Sequence, residues 1–107
     1  MQEKKKSNNN ARKNRIRSKE RARERYIREQ RQVIAEIEGI QRMYPDTEWN
    51  GVNKHWCLAY FTEREELVPT FTIATRFSAF FFPTCLSCEE MLEKVGEHRY
   101  KKYILGI

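Results

Sequence analysis

The chain has 107 residues, enough for one small domain with an arm, and it combines 39% hydrophobic with 34% charged residues. No apolar run approaches the roughly 18–20 residues of a membrane span, and the polar start "MQEKKKSNNN" lacks the apolar stretch of a secretory signal. Three cysteines, an odd number, argue against a disulfide framework. We therefore expect a cytoplasmic protein that contacts no membrane.

The charge is divided unevenly between the two parts of the chain. Residues 1–45 hold 14 Lys and Arg against 6 Glu, a balance of +8. Residues 46–107 hold 7 Lys and Arg against 9 Asp and Glu, a balance of −2. Such asymmetry indicates a basic arm with a polyanionic partner, attached to a slightly acidic body.

Residues 1–10 are a basic, low-complexity tail in which three lysines precede three asparagines. This segment has too little apolar surface to offset the entropy lost on ordering, so we expect it to be disordered when unbound.

Residues 11–44 predict one long helix rich in arginine. The segment has no proline and is dominated by Arg, Lys, Glu, Gln and Ala, all good helix formers, and Pro45 ends it. Its second half carries an apolar stripe at helical spacing, made of Val33, Ile37, Ile40 and Tyr44. The stripe must pack on something, either the core of the body or a second copy of the chain in a homodimer. Followed backwards into the first half, the same face turns polar and basic.

Residues 45–107 predict a small α+β body. After a turn-rich connector, strand-like runs occupy residues 55–61, 67–74 and 76–82, and Pro69 favours an edge position for the second run. A helix follows, with Thr84 as N-cap and Gly96 as C-cap, and the last residues form another short helical or extended piece. The prediction is a three-stranded antiparallel sheet packed with one or two short C-terminal helices and completed by the end of the long helix.

The basic half of the long helix is the strongest functional signal. Cations at this density repel one another unless a polyanion is present, and arginine both pairs with phosphate and stacks on bases. The alternative is a solvated helix whose charges only keep it in solution. The predicted nucleic-acid-binding residues are Arg12, Lys13, Arg15, Arg17, Lys19, Arg21, Arg23, Arg25, Arg28 and Arg31.

The stretch "ARKNRIRSKERARERYIREQRQ", residues 11–32, resembles the arginine-rich RNA-binding helices of phage antitermination peptides, which fold on an RNA hairpin. The resemblance covers about 20 residues and consists of composition and spacing. It implies an RNA partner, although the residues themselves leave RNA and DNA both open.

A second constellation reads H-x-C and then C-x-x-C, and it comprises His55, Cys57, Cys85 and Cys88. These residue types are zinc ligands, so a structural zinc site is one interpretation, and small buried core residues are the other. The chain has no P-loop, nucleophile elbow or H-E-x-x-H motif. We therefore expect a protein that is not an enzyme and needs no cofactor.

The ending "FFFPTCLSCEEMLEKVGEHRYKKYILGI" resembles that of small proteins encoded by phages and mobile elements. The residues that carry the resemblance are Thr84, Glu89, Glu90, Gly96, Glu97, Lys101, Lys102, Tyr103 and Gly106. It implies a viral setting in a bacterial host cytoplasm and a packing unit, without an activity. Together with the segregated charge, it leads to one concrete hypothesis, an anti-CRISPR protein that contacts guide RNA. The alternative is a virion or assembly module whose basic arm binds the genome or an acidic partner.

Overall fold

The first element is a single helix, α1 (Gln2–Met43). It ends one residue before Tyr44, the last residue of the predicted helix. The computed structural model describes the backbone of residues 2–77 and 79–107 and the side chains of residues 11–77 and 79–107. The helix begins inside the segment expected to be disordered. Residue 1 and the side chains of residues 2–10 lie outside the described part, and disorder of the unbound tail stays a prediction.

A two-stranded antiparallel sheet forms the next layer. Strand β1 (His55–Phe61) pairs with β2 (Glu66–Thr72) in a register that places Trp56 opposite Phe71. The backbone N–H and carbonyl of Trp56 hydrogen-bond to Phe82, on the side away from β2, so Trp56 forms no ladder hydrogen bond with its partner Phe71. In an antiparallel pair every second position repeats this pattern, so Pro69, two residues from Phe71, also directs its backbone to the outer edge of the sheet. Pro69 therefore removes no hydrogen bond from the ladder, as expected of an edge strand.

The predicted third strand, residues 76–82, does not form in the part of this run that the structure describes, residues 76–77 and 79–82. Of those residues, only Phe82 hydrogen-bonds to β1: its N–H donates to the Trp56 carbonyl at 2.7 Å, and its carbonyl accepts from the Trp56 N–H at 2.8 Å. Phe81 packs edge-on against Trp49 of the connector, with ring centroids 5.0 Å apart, and Phe77 packs on Phe81 at 5.2 Å. Trp49 itself stacks on His55, the first residue of β1, with centroids 3.6 Å apart, so these rings form an aromatic cluster beside the start of β1. Ser78 lies outside the described residues.

The C-terminal part consists of three short helical elements. Helix α2 (Cys85–Val95) begins as predicted, because the Thr84 hydroxyl accepts from the Ser87 N–H and the Ser87 hydroxyl accepts from the Thr84 N–H. It ends at Gly96, whose positive φ of 89° suits glycine. Helix α3 (Glu97–Tyr100) and a π-helical turn (Lys101–Leu105) complete the chain.

The core lies between the second half of α1, the sheet and α2. Val33 and Ile37 of α1 are fully buried, and they share one cluster with Phe82, Met91 and Val95. Tyr44, the last member of the predicted stripe, is exposed instead. The end of α1 thus completes the core of the body. This agrees with the first of the two interpretations of the apolar stripe.

Two charged side chains fasten the C-terminal elements to the rest. Arg99 of α3 pairs with Glu36 of α1 and also donates to the carbonyl of Val95. The hydrogen bond to the partly buried Glu36 carboxylate raises the pKa of Arg99, a side chain that is charged at neutral pH in any case. Lys101 bonds to the Glu97 carboxylate and to the carbonyl of Glu65, which ties the hairpin turn to α3.

The first half of α1 projects from this body. The molecule measures 74 × 32 × 23 Å, and its radius of gyration is 20.5 Å, whereas a compact chain of this length has roughly 13 Å. None of the described helices has the length and apolar character needed to cross a bilayer.

We expect Ile37→Ala to lower the free energy of unfolding by about 2–5 kcal/mol, since it opens a cavity in the core. The control is Ile27→Ala on the same helix, where the side chain is 39% exposed and the change should stay within about 0.5 kcal/mol. Urea denaturation of both variants measures the difference. Equal effects would contradict the assignment of the second half of α1 to the core.

Candidate nucleic-acid interface

All ten predicted binding side chains are exposed on α1. The stretch from Arg12 to Arg31 spans about 28 Å of helix axis at roughly 1.5 Å per residue, and it contains three glutamates. Its balance is therefore +7. The structure thus presents the predicted residues as one continuous cationic rod.

The cations divide between two faces of α1. At about 100° per residue, five of them lie opposite the buried stripe and face away from the body. This outer group consists of Lys13, Arg17, Arg21, Arg28 and Arg31. A second group continues the line of the buried stripe into the projecting part of the helix, and it consists of Arg12, Arg15, Lys19 and Arg23. Arg25 lies between the two groups.

Within the part of the chain whose side chains are described, none of the ten cations makes a salt bridge or a hydrogen bond to a carboxylate. The three ion pairs found there belong to the body and to its contact with Glu36. The body instead exposes carboxylates of its own on α2 and at the hairpin turn, from Glu89, Glu90, Glu93, Glu63, Glu65 and Glu66. Net charge is therefore positive on α1 and negative on α2 and at the hairpin turn, where Lys94 and Arg64 lie among the carboxylates.

Polar contacts fasten α1 to the C-terminal turn at the point where it leaves the body. The Tyr26 hydroxyl donates to the carbonyl of Lys102 at 2.9 Å, and the Gln30 amide donates to the carbonyl of Tyr103 at 2.9 Å. The Tyr26 and Tyr103 rings also pack with centroids 5.0 Å apart. These contacts fix the direction in which the cationic rod leaves the body, and they bring Lys102 next to it.

Lys102 is a candidate contact that the sequence reasoning did not assign to the interface. Its side chain is exposed, and it lines the same shallow surface depression as Arg25 and Tyr26. The available signal was the basic pair Lys101–Lys102 near the chain end. Only the fold shows that one lysine of the pair neighbours α1 while the other bonds to Glu97.

The Cys and His residues do not assemble as a zinc site. Among the described residues, no group of three His, Cys, Asp or Glu side chains is placed to hold a metal. Cys57 and Cys88 are buried in the core, whereas Cys85 lies in the first turn of α2 with its thiol 3.7 Å from a Glu89 carboxylate oxygen. Burial raises the pKa of the Cys88 thiol to about 12 and also raises the pKa of Cys57.

His55 organises the connector instead. Its ring is fully buried, with Nδ1 2.9 Å from both carboxylate oxygens of Asp46, and it stacks on Trp49 with centroids 3.6 Å apart. Its Nε2 is buried without a hydrogen-bond partner among the described residues. With Nδ1 engaged by Asp46 and one ring face covered by Trp49, His55 acts as a packing residue of the body.

The stripe considered for a homodimer is largely inside the molecule. Val33, Ile37 and Ile40 are buried against the chain's own body, and a homodimer through them would first have to expose them.

No family model, curated protein or solved structure matches the chain.

We expect Cys85 to be the one fast-reacting thiol, because it alone of the three cysteines is partly exposed. A disulfide reagent such as DTNB should modify one equivalent rapidly in the native protein and three after unfolding in urea. The pKa of all three thiols is raised, that of Cys85 by burial and by the neighbouring Glu89 carboxylate, so the difference in rate comes from access of the reagent. Cys85→Ser should abolish the fast phase; three thiols reacting at one rate would contradict this placement.

Proposed function

We propose that the chain is a non-enzymatic protein that binds a polynucleotide, or a nucleoprotein containing one, through the cationic side chains of α1. The observation that carries the proposal is the exposed rod of ten Lys and Arg side chains without carboxylate partners among the described residues. Each phosphate that such a side chain neutralises releases counterions, so binding gains free energy that falls steeply with salt concentration.

The shape of α1 supports a groove or channel as the binding surface. A helix with its side chains is about 10–12 Å across, which matches the roughly 12 Å major groove of B-form DNA and the widened grooves of distorted RNA. Because cations occupy both the outer and the body-side faces, the projecting part suits a site in which phosphates approach from two sides. A flat anionic surface would use only one of these faces.

The most concrete version is an inhibitor of a host RNA-guided defence complex. In that version α1 contacts the guide RNA, and the exposed carboxylates of α2 and the hairpin turn face a basic protein channel built for nucleic acid. The support is the net positive charge of α1 and the net negative charge of α2 and the hairpin turn, together with the resemblance of the C-terminal sequence to phage-encoded proteins.

We expect the triple variant Arg17→Gln, Arg21→Gln, Arg28→Gln to weaken polynucleotide binding, because these three side chains share the outer face of α1. Each phosphate that is no longer neutralised should make the slope of log Kobs against log salt concentration shallower by roughly 0.7–0.9, so the triple variant should change it by about 2–3. Fluorescence anisotropy with a labelled oligonucleotide over a salt series measures both the affinity and the slope.

The matched control is Lys54→Gln, Arg64→Gln, Lys94→Gln, which removes three exposed cations from the body. Both triple variants lower the net charge from +6 to +3, so a general charge effect would appear equally in each. We expect the control to keep a slope close to that of the unmodified chain. Equal slopes for the two variants would contradict binding through α1.

The inhibitor version is tested in cells with an active RNA-guided nuclease and a targeted phage. Expression of the chain should restore phage plating, and the α1 triple variant should restore it much less than the body control. Unchanged interference across several types of nuclease would overturn this version and leave nucleic-acid binding to be judged by the anisotropy data.

A further inference from the structure

An open groove runs along one flank of α1 where the helix joins the body. It has a volume of about 490 Å³, within the roughly 300–1,000 Å³ of ligand clefts. Aromatic and aliphatic side chains dominate its lining, which includes Gln30, Ile34, Phe77, Phe80, Tyr103 and Leu105.

Phe77 gives this groove an accessible aromatic surface. Its side chain is 49% exposed, although it is anchored on one side by the edge-on contact with Phe81 at 5.2 Å. An anchored and half-exposed ring has little conformational entropy left to lose on binding. Such rings serve as stacking platforms for unpaired bases in proteins that bind single strands.

The groove lies close to two cations on the surface of α1. Gln30 and Ile34 line it from the helix, and Arg23 lies on the same flank, seven residues or about 10 Å before Gln30 along the axis. Arg31 is exposed on the neighbouring flank. A chain whose phosphates follow Arg23 and Arg31 therefore passes the mouth of an aromatic groove, which offers its bases an apolar surface.

We propose that this groove receives an unpaired base of the polynucleotide bound by α1, with the base stacked on Phe77. The inference rests on the proposed function, since α1 supplies the phosphate contacts that bring the base there. It narrows the ligand to a strand with unpaired nucleotides next to the segment held by the arginines, such as a hairpin loop or a bulge.

The test compares Phe77→Ala with Phe61→Ala. Phe61 is 50% exposed at the end of β1 and lies outside the groove, so it is a matched control for the loss of a half-exposed phenylalanine. Binding is measured by anisotropy at low ionic strength with two probes of equal length and charge: a hairpin with an unpaired loop, and a fully paired duplex.

We expect Phe77→Ala to weaken hairpin binding by about 5- to 150-fold, the range for the loss of one base–aromatic stack, and to leave duplex binding unchanged. Phe61→Ala should match the unmodified chain on both probes. Phe77→Tyr keeps an aromatic face and should restore hairpin binding, which separates stacking from a folding defect in the alanine variant.

Each other outcome has a definite meaning. If Phe77→Ala and Phe61→Ala bind alike while the α1 triple variant still weakens binding, the base site is overturned and the proposed function stands. If the α1 triple variant also binds normally, the proposed function itself fails. If sedimentation shows that Phe77→Ala converts a dimer into a monomer, the groove holds a second copy of the chain and the base site is overturned.

Discussion

The structure depends on the burial of three aliphatic side chains from the second half of α1. Val33, Ile37 and Ile40 complete the core of a body whose described residues form two strands and short helices of their own. Each such side chain contributes about 1.5–3 kcal/mol, against a typical total stability of about 5–15 kcal/mol. Because a helix is rigid along its axis, fixing this half also fixes the direction of the cationic half. One element therefore both holds the body together and presents the candidate interface.

The projecting half of α1 gains little stability from its own side chains. Arg17, Arg21 and Arg25 follow one another at four-residue spacing, where like charges destabilise a helix by a few tenths of a kcal/mol per pair. Glu20 and Glu24 offset part of that repulsion. The packed half supplies an already formed helix from which the projecting half extends. Extending a helix costs less free energy than nucleating a new one. A bound polyanion removes the repulsion, so binding and helix order stabilise each other by linkage.

Local patterns predicted the elements well and their assembly less well. The stripe from Val33 to Ile40, the Thr84 cap and the first strand are set by spacing and capping chemistry within a few residues, and these predictions are confirmed. The run at residues 76–82 has strong strand propensity, yet its Phe81 ring packs on Trp49, some thirty residues earlier in the chain, and Phe77 packs on Phe81. Propensity does not encode that distant partner. The His55–Asp46 contact could not be predicted from local sequence for the same reason. Of the two interpretations of the Cys and His residues, the structure places Cys57 and Cys88 in the core and shows no group of three metal ligands among the described residues.

The missing third strand and the groove beside α1 involve the same residues. Phe82 and Trp56 form a single antiparallel bridge. If the pairing continued from this bridge, Phe80 would lie opposite Leu58 and the segment would form a third strand. Phe81 instead packs on Trp49, which itself stacks on His55 at the start of β1. Leu58 lines the groove together with Phe77 and Phe80. A completed sheet would have added ladder hydrogen bonds and paired Phe80 with Leu58, two residues that both line the groove. The aromatic residues of this run therefore line an open groove beside α1 where a third strand was predicted.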